Sequence, residues 1–193
     1  NILVSSTTLF IKNPKEQGFV SYHQDAKYIG LEPHNWVTAW VALTDSNENN
    51  GCMKMWPKSH LNIKDHNEKF NEGNLLTRGQ TVENVPEDKV KTIELKAGQM
   101  SLHHPRIVHG SGINKSDDRR IGFVIQSYIG TNVKQTLGKN SVQIARGEDK
   151  YHYHDVIHRT NALMSEESIL LRKKENDHLQ EIFYKGAKQK GSY

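Results

Sequence analysis

A single cysteine, Cys52, stands in 193 residues, so no disulfide can form within the chain, and the pattern fits a reducing compartment. Five prolines without a repeat exclude a proline-rich linker or fibrous segment. Apolar runs are short and none reaches membrane-spanning length, and the first residues show no charged-then-apolar pattern. The expectation is a soluble, cytoplasmic protein without a membrane partner. Charge of one sign is also in short supply. The net charge is +4 and the isoelectric point about 9.0, with part of the excess in the tail from Lys185 to Lys190, which is weak support for nucleic-acid binding. No nucleic-acid partner is expected; the sequence leaves oligomeric state open.

What is present is a chain of single-domain length, 35% hydrophobic and 25% charged, neither disordered nor fibrous. Its mean hydropathy of −0.75 implies long solvated loops. The chain starts with Asn1, and residues 2–11 already read as a strand, so a fragment or trimmed chain is expected. Residues 36–44 alternate, with Val37, Ala39, Val41 and Leu43 on one face and Thr38, Trp40 and Ala42 on the other. The turn-rich stretch 45–51 and the short strand 52–56 complete a hairpin-like unit. Residues 62–89 form a long polar excursion, a candidate lid. Two strand pairs follow: 90–95 with 99–103, and 107–111 with 119–128, the second joined by a turn that folds Ser111 toward Arg120. Ser165 caps a helix with Glu166 and Glu167 in its first turn. Many short strands with one late helix predict a mainly β fold, an antiparallel barrel or two-sheet jelly roll. The expected division is a core over 1–130 and a C-terminal extension over 131–193 whose loop and helix pack on it.

His23 and Asp25 are two apart, and composition alone supplies roughly half a chance match to that spacing, so the pair needs corroboration. It comes from His109 and Arg120. On strands, residues two apart share a face, so His23 with Asp25 and His109 with Ser111 can all point inward. Two imidazoles and one carboxylate on one face of an iron leave coordination positions open, the pattern of non-haem Fe(II) oxygenases. Arg120, 11 residues after His109, can hold a carboxylate-bearing cosubstrate in two parallel hydrogen bonds, with Ser111 as a further donor. His104, at a strand end before Pro105, breaks that alignment, and both His103 and His104 are read as hydrogen-bonding groups beside the site or in the core. His66-Asn-Glu68 repeats the spacing in a stretch without strand support and is read as a decoy.

These segments resemble the phytanoyl-CoA dioxygenase family of Fe(II)- and 2-oxoglutarate-dependent oxygenases. The resemblance rests on Tyr22-His-Gln-Asp25, Val37-Thr-Ala-Trp40, Gly51 through Pro57-Lys-Ser-His60, Asn74 to Gln80, and Met100 through His109-Gly-Ser111 to Arg120. It covers roughly residues 5–150 and implies a double-stranded β-helix core, jelly-roll or cupin-like, with long loops and a C-terminal helix. It implies iron on His23, Asp25 and His109, 2-oxoglutarate on Arg120 with Ser111, and Trp40 against the cosubstrate or in the core. Lys12 is read as solvated. Relatives carry a long helical segment before the His-x-Asp strand, so part of the family domain is expected to be missing here and a sheet face left uncovered. The family's Pro-Gly-Ser-His turn has Lys58 in place of glycine. Relatives that halogenate have a small residue in place of the carboxylate, so Asp25 argues for oxygenation.

The implied reaction uses Fe(II), 2-oxoglutarate and O2 to hydroxylate a C–H bond of a small, polar or anionic metabolite, releasing succinate and CO2. Alternatives are hydroxylation of an acyl-CoA and a noncatalytic metal-binding barrel. Substrate contacts are expected from Tyr22, Tyr28, Trp36, the excursion 62–89, Arg146 and Tyr151–His154, each with a structural role as the competing explanation. His152 and His154 are read as solvated rather than as a second metal site.

Overall fold

The computed structural model describes residues 1–158, 160 and 162–187. The last three residues of the basic tail noted above, 188–190, lie outside them. Chain order runs β1 (Ile2–Val4), β2 (Thr7–Lys12), β3 (Val20–His23), β4 (Leu31–Glu32), β5 (Trp36–Ala42), β6 (Met53–Trp56), β7 (Asn67–Glu68) and β8 (Gln80–Thr81). It continues with β9 (Lys91–Ile93), β10 (Met100–His103), β11 (Val108–Ser111), β12 (Arg120–Ile129), β13 (Lys134–Gln135), β14 (Ser141–Arg146), β15 (Asp155–Val156) and α1 (Glu166–Tyr184).

Two sheets carry the fold. The larger has the order β10-β5-β12-β1-β14-β15, with β2 also paired to β12; the smaller runs β3-β11-β6-β9. Short antiparallel pairs β4–β13 and β7–β8 lie outside them. This mainly β, two-sheet architecture with one C-terminal helix is the jelly-roll core expected from the strand pattern. Along β5, Thr38, Trp40 and Ala42 are buried on one face, while on the other Val37 and Val41 are half-buried, Ala39 is buried and Leu43, just beyond the strand, is exposed. Trp40, Ala42, Met53 and Val124 form one apolar cluster; Leu3, Ile29, Leu31, Trp36, Ile129, Val133 and Val142 form another. On the opposite face of the large sheet, Met100 and Leu102 of β10 and Leu9 and Ile11 of β2 are exposed.

Several local expectations change. The stretch 2–11 is two strands, broken at Ser5 and Ser6, and both pair with β12. β5 and β6 are not a hairpin: β5 belongs to the large sheet and β6 to the small one. The same holds for β9 and β10, and for β11 and β12. Each expected hairpin is a crossing from one sheet to the other. A period-two pattern shows which residues share a face and says nothing of which sheet the strand joins. Lys58 takes the left-handed conformation, φ 67°, that glycine adopts freely, and the turn still forms, with Ser59 Oγ donating to the Trp56 carbonyl.

Candidate active site

β3 and β11 pair antiparallel with His23 directly opposite His109. The register then slips, so that Ser111 faces Val20, and the bulged β3 backbone presses on Gly110. A Cβ at Gly110 would lie 2.8 Å from the Val20 carbonyl oxygen, which explains glycine between the histidine and the serine. Asp25, expected on the strand with His23, instead opens the short 3-10 turn Asp25–Lys27 that follows β3. That turn brings its carboxylate back toward the imidazoles. One donor atom from each of His23, Asp25 and His109 lies within 4.8 Å of the other two. Nε2 of His23 is 3.3 Å, and Nε2 of His109 3.9 Å, from Asp25 Oδ1.

Backbone carbonyls set the tautomers. Nδ1 of His23 lies 2.9 Å from the Ser21 carbonyl and Nδ1 of His109 lies 3.1 Å from that of Ile107, so each Nδ1–H donates and each Nε2 presents a lone pair to the centre. Burial, reinforced by His23, lowers the His109 pKa to about 3, which keeps that ring neutral. Two imidazole lone pairs and a carboxylate oxygen thus face one another, an arrangement that repels itself until a cation enters. Thr38 Oγ1 lies 3.2 Å from Asp25 Oδ2 and 2.8 Å from the Gln126 carbonyl, so its one proton serves either acceptor.

Gln24, fully buried between the two ligands, holds the surrounding loops. Its Nε2 donates to the carbonyls of Asn62 (2.9 Å) and Arg106, and its Oε1 accepts from the Lys64 N–H at 2.7 Å. The decoy His66 belongs to this network, because its Nε2 accepts the Gln24 N–H at 2.9 Å. Its would-be partner Glu68 pairs with Arg78.

Beside the triad lies a cavity of about 190 Å³ between the two sheets, lined among others by Trp40, His103, Ser111 and Arg120. Arg120 is 3% exposed, its Nε has no partner, and its guanidinium lies 5.2 Å from the Trp40 ring centroid. Two residues beyond Arg120, the space over Gly122 is filled by the indole rather than left open for a ligand, since a Cβ there would sit 2.1 Å from Trp40 Cζ2.

Lys12 departs furthest from expectation. It is 1% exposed rather than solvated, faces Arg120 across the β2–β12 pair, and donates to Ser111 Oγ at 2.8 Å and to the Gly112 carbonyl. Burial, with the Arg120 guanidinium nearby, pulls its pKa down to about 7. Among the described residues, neither Lys12 nor Arg120 forms an ion pair with a carboxylate. Two buried cationic side chains without an acid leave a place for an anion. The signal in the sequence was a lysine in an alternating strand, set in phase with Phe10 on the inward face.

His103 is buried against His109, ring centroids 4.8 Å apart, with neither nitrogen bonded. His104 lies outside the triad and packs on His60. Of the expected substrate contacts, Tyr28 lines the cavity and Leu75, Leu76 and Thr77 come from the excursion 62–89. The others lie elsewhere: Tyr22 Oη donates to Glu87, Trp36 is in the core, and Arg146 is exposed on β14. Tyr151 and Tyr153 stack on each other at the surface, and His154 is buried rather than solvated, its Nε2 2.7 Å from the Val133 carbonyl. Phe183 of α1 also lines the cavity and was not anticipated.

The phytanoyl-CoA dioxygenase family model matches residues 3–122, more than half of the chain. The chain belongs to the phytanoyl-CoA dioxygenase family. It is 29% identical over 126 residues to the human peroxisomal phytanoyl-CoA dioxygenase, covering 62% of this chain and 37% of that one. Among solved structures it resembles the non-haem monooxygenase ThoJ, at 31% identity and a TM-score of 0.79, over 94% of this chain and 66% of that chain. It also resembles the epimerase SnoN in complex with Fe3+, alpha ketoglutarate and nogalamycin RO, at 25% identity and a TM-score of 0.55, over 69% of this chain and 52% of that one. The matched part is between 37% and 48% of the length of the first curated relatives. No helix among the described residues is long and apolar enough to cross a membrane.

Proposed function

We propose that this chain is an Fe(II)/2-oxoglutarate-dependent dioxygenase that hydroxylates a C–H bond of a small metabolite and releases succinate and CO2. The observation that carries this reading is the self-repelling set of two Nε2 lone pairs and a carboxylate oxygen beside buried, acid-free cations. His23, Asp25 and His109 would hold Fe(II), which when bound supplies the activation of O2 coupled to oxidation of 2-oxoglutarate. Arg120 would receive the far carboxylate of 2-oxoglutarate. Ser111 would donate to the same carboxylate, since accepting from Lys12 leaves its own proton free. Lys12 acts through Ser111 as a positioning charge. Trp40 fixes the guanidinium plane and fills the wall behind it.

The free cations serve the cosubstrate end, while Val20, Tyr28, Ile29, Leu75, Leu76 and Phe183 give much of the remaining lining an apolar character. That lining favours an uncharged group presented to the metal over the polar or anionic one expected in the sequence analysis. It also suits the alkyl part of an acyl substrate. The likeness to the epimerase SnoN favours a second reading, inversion at a carbon instead of hydroxylation, in which an external reductant such as a thiol or ascorbate would supply the returned hydrogen and the electrons that balance O2 and 2-oxoglutarate consumption.

Anaerobic titration with Fe(II) and then 2-oxoglutarate tests the proposal. A visible charge-transfer band is expected only when both are present, together with O2-dependent succinate release. Folded protein with no band would overturn it.

A further inference from the structure

Five apolar or aromatic side chains that line the cavity belong to neither main sheet: Tyr28 and Ile29 after the 3-10 turn, Leu75 and Leu76 in the excursion, and Phe183 in α1. Of these, Phe183 comes from the most distant part of the chain. α1 is mostly exposed, and Ile182 is its one fully buried residue, so its last turn is its main anchor. That turn ends in carbonyls with no partner inside the helix.

Arg78 supplies the partner. It is 8% exposed, and its Nη1 donates to the carbonyls of Lys185 at 3.0 Å and Phe183 at 3.4 Å. Its Nε donates to Glu68 Oε1 at 2.8 Å, with Nη2 on the same oxygen, and its guanidinium lies 5.1 Å from the Tyr28 ring centroid. One side chain therefore ties the excursion, the helix end and a cavity aromatic together, and Glu68 cancels its charge. A cation at the negative end of a helix dipole is favourable in its own right.

We propose that the last turn of α1 is a wall of the substrate cavity, with Phe183 as the specificity-determining residue and Arg78 as the positioning residue that latches it. The inference rests on the cavity being the active site, and it assigns the cap to an uncharged apolar group of the substrate. Phe183 limits the size of that group. Arg78 acts only through the placement of Phe183 and Tyr28, so it leaves the metal and cosubstrate groups alone. Lysine at position 78 offers one compact ammonium and cannot span Glu68 and two carbonyls as the planar fork does.

The probes are n-butanol, n-pentanol and n-hexanol, added anaerobically to the Fe(II)/2-oxoglutarate protein while the charge-transfer band is followed. Affinity is expected to rise about fourfold per methylene, as burial of apolar surface requires. Phe183→Trp should weaken hexanol by about tenfold or more, with the 2-oxoglutarate Kd within about twofold of the parent. Arg78→Met should flatten the alcohol series and speed amide hydrogen exchange over residues 179–187 by about tenfold, with Arg78→Lys restoring part of each. An alcohol series without a slope, or hexanol binding untouched by Phe183→Trp, overturns the apolar wall. Unchanged exchange in Arg78→Met overturns the latch. Loss of the band in the parent protein would instead overturn the proposed function, while the exchange measurement would still decide on the latch.

Discussion

Asp25 and Lys12 show how far single residues govern this site. Asp25 supplies the only carboxylate of the triad, and the two imidazoles retain their carbonyl-set tautomers without it. Asp25→Ala is therefore expected to leave the fold intact and to weaken Fe(II) by more than the 10–100-fold typical of losing a ligand's hydrogen-bonding partner. Iron titration and succinate release check this; full succinate-coupled turnover by the variant would remove Asp25 from the ligand set. Lys12 carries a pH prediction. Its folded pKa of about 7 lies below the ordinary lysine value of 10.5, so between those limits the unfolded chain binds more protons than the folded one. The contribution of Lys12 to stability therefore rises with pH across that window and is least favourable at and below pH 7. An anion beside Arg120 and Ser111 favours the charged lysine, so 2-oxoglutarate binding takes up a proton and weakens as pH rises above about 7. In Lys12→Met, the 2-oxoglutarate Kd should increase about tenfold, a loss within the range for a charge-assisted hydrogen bond, and that pH dependence should flatten. Band titrations from pH 6 to 9 measure both.

At the level of elements, the crossing of strands between sheets explains what could and could not be read from the sequence. The inward set His23, His109, Ser111 and Arg120 was legible because alternation fixes faces. The supposed β11–β12 hairpin was wrong, yet Ser111 and Arg120 line one cavity because their sheets face each other. Asp25 was placed on a strand because His-x-Asp suits one; its 3-10 turn leaves no such periodic trace in three residues. Phe183 stayed hidden because α1 is polar along most of its length and a single aromatic near its end does not announce a pocket. Gly122 gives the test at this scale. β12 and β5 hold it directly under the Trp40 indole, so Gly122→Ala must push the ring or spread the strands. A cost of about 1–3 kcal/mol follows from overpacking a filled interior. Because Trp40 also backs Arg120, the 2-oxoglutarate Kd should rise in the same variant. Urea denaturation and band titration report the two effects separately; an unchanged Kd would remove Trp40 from the support of Arg120.

Over the whole molecule, the family model ends at residue 122, while the packing continues well past it. The proposed division into a core over 1–130 and an extension over 131–193 describes organisation along the chain, and the two parts share an interior. Val133, Val142 and Phe183 pack with Leu3, Ile29, Leu31, Trp36 and Ile129, and β14 pairs with β1 in the large sheet. Val133 and Val142 have no exposure and Ile182 has 2%. Each such side chain stabilises the fold by about 1.5–3 kcal/mol when fully buried. Removing residues 131–193 also uncovers the faces of Leu3, Leu31 and Trp36 that these groups touch. The combined loss is comparable to the roughly 5–15 kcal/mol by which a whole domain is stable. A chain ending at Gly130 is therefore expected to show no cooperative unfolding transition in urea and to bind hydrophobic dyes, although it retains His23, Asp25, His109 and Arg120. A sharp transition with the Fe(II)/2-oxoglutarate band intact would mean that the extension is dispensable and that the two apolar clusters stand independently.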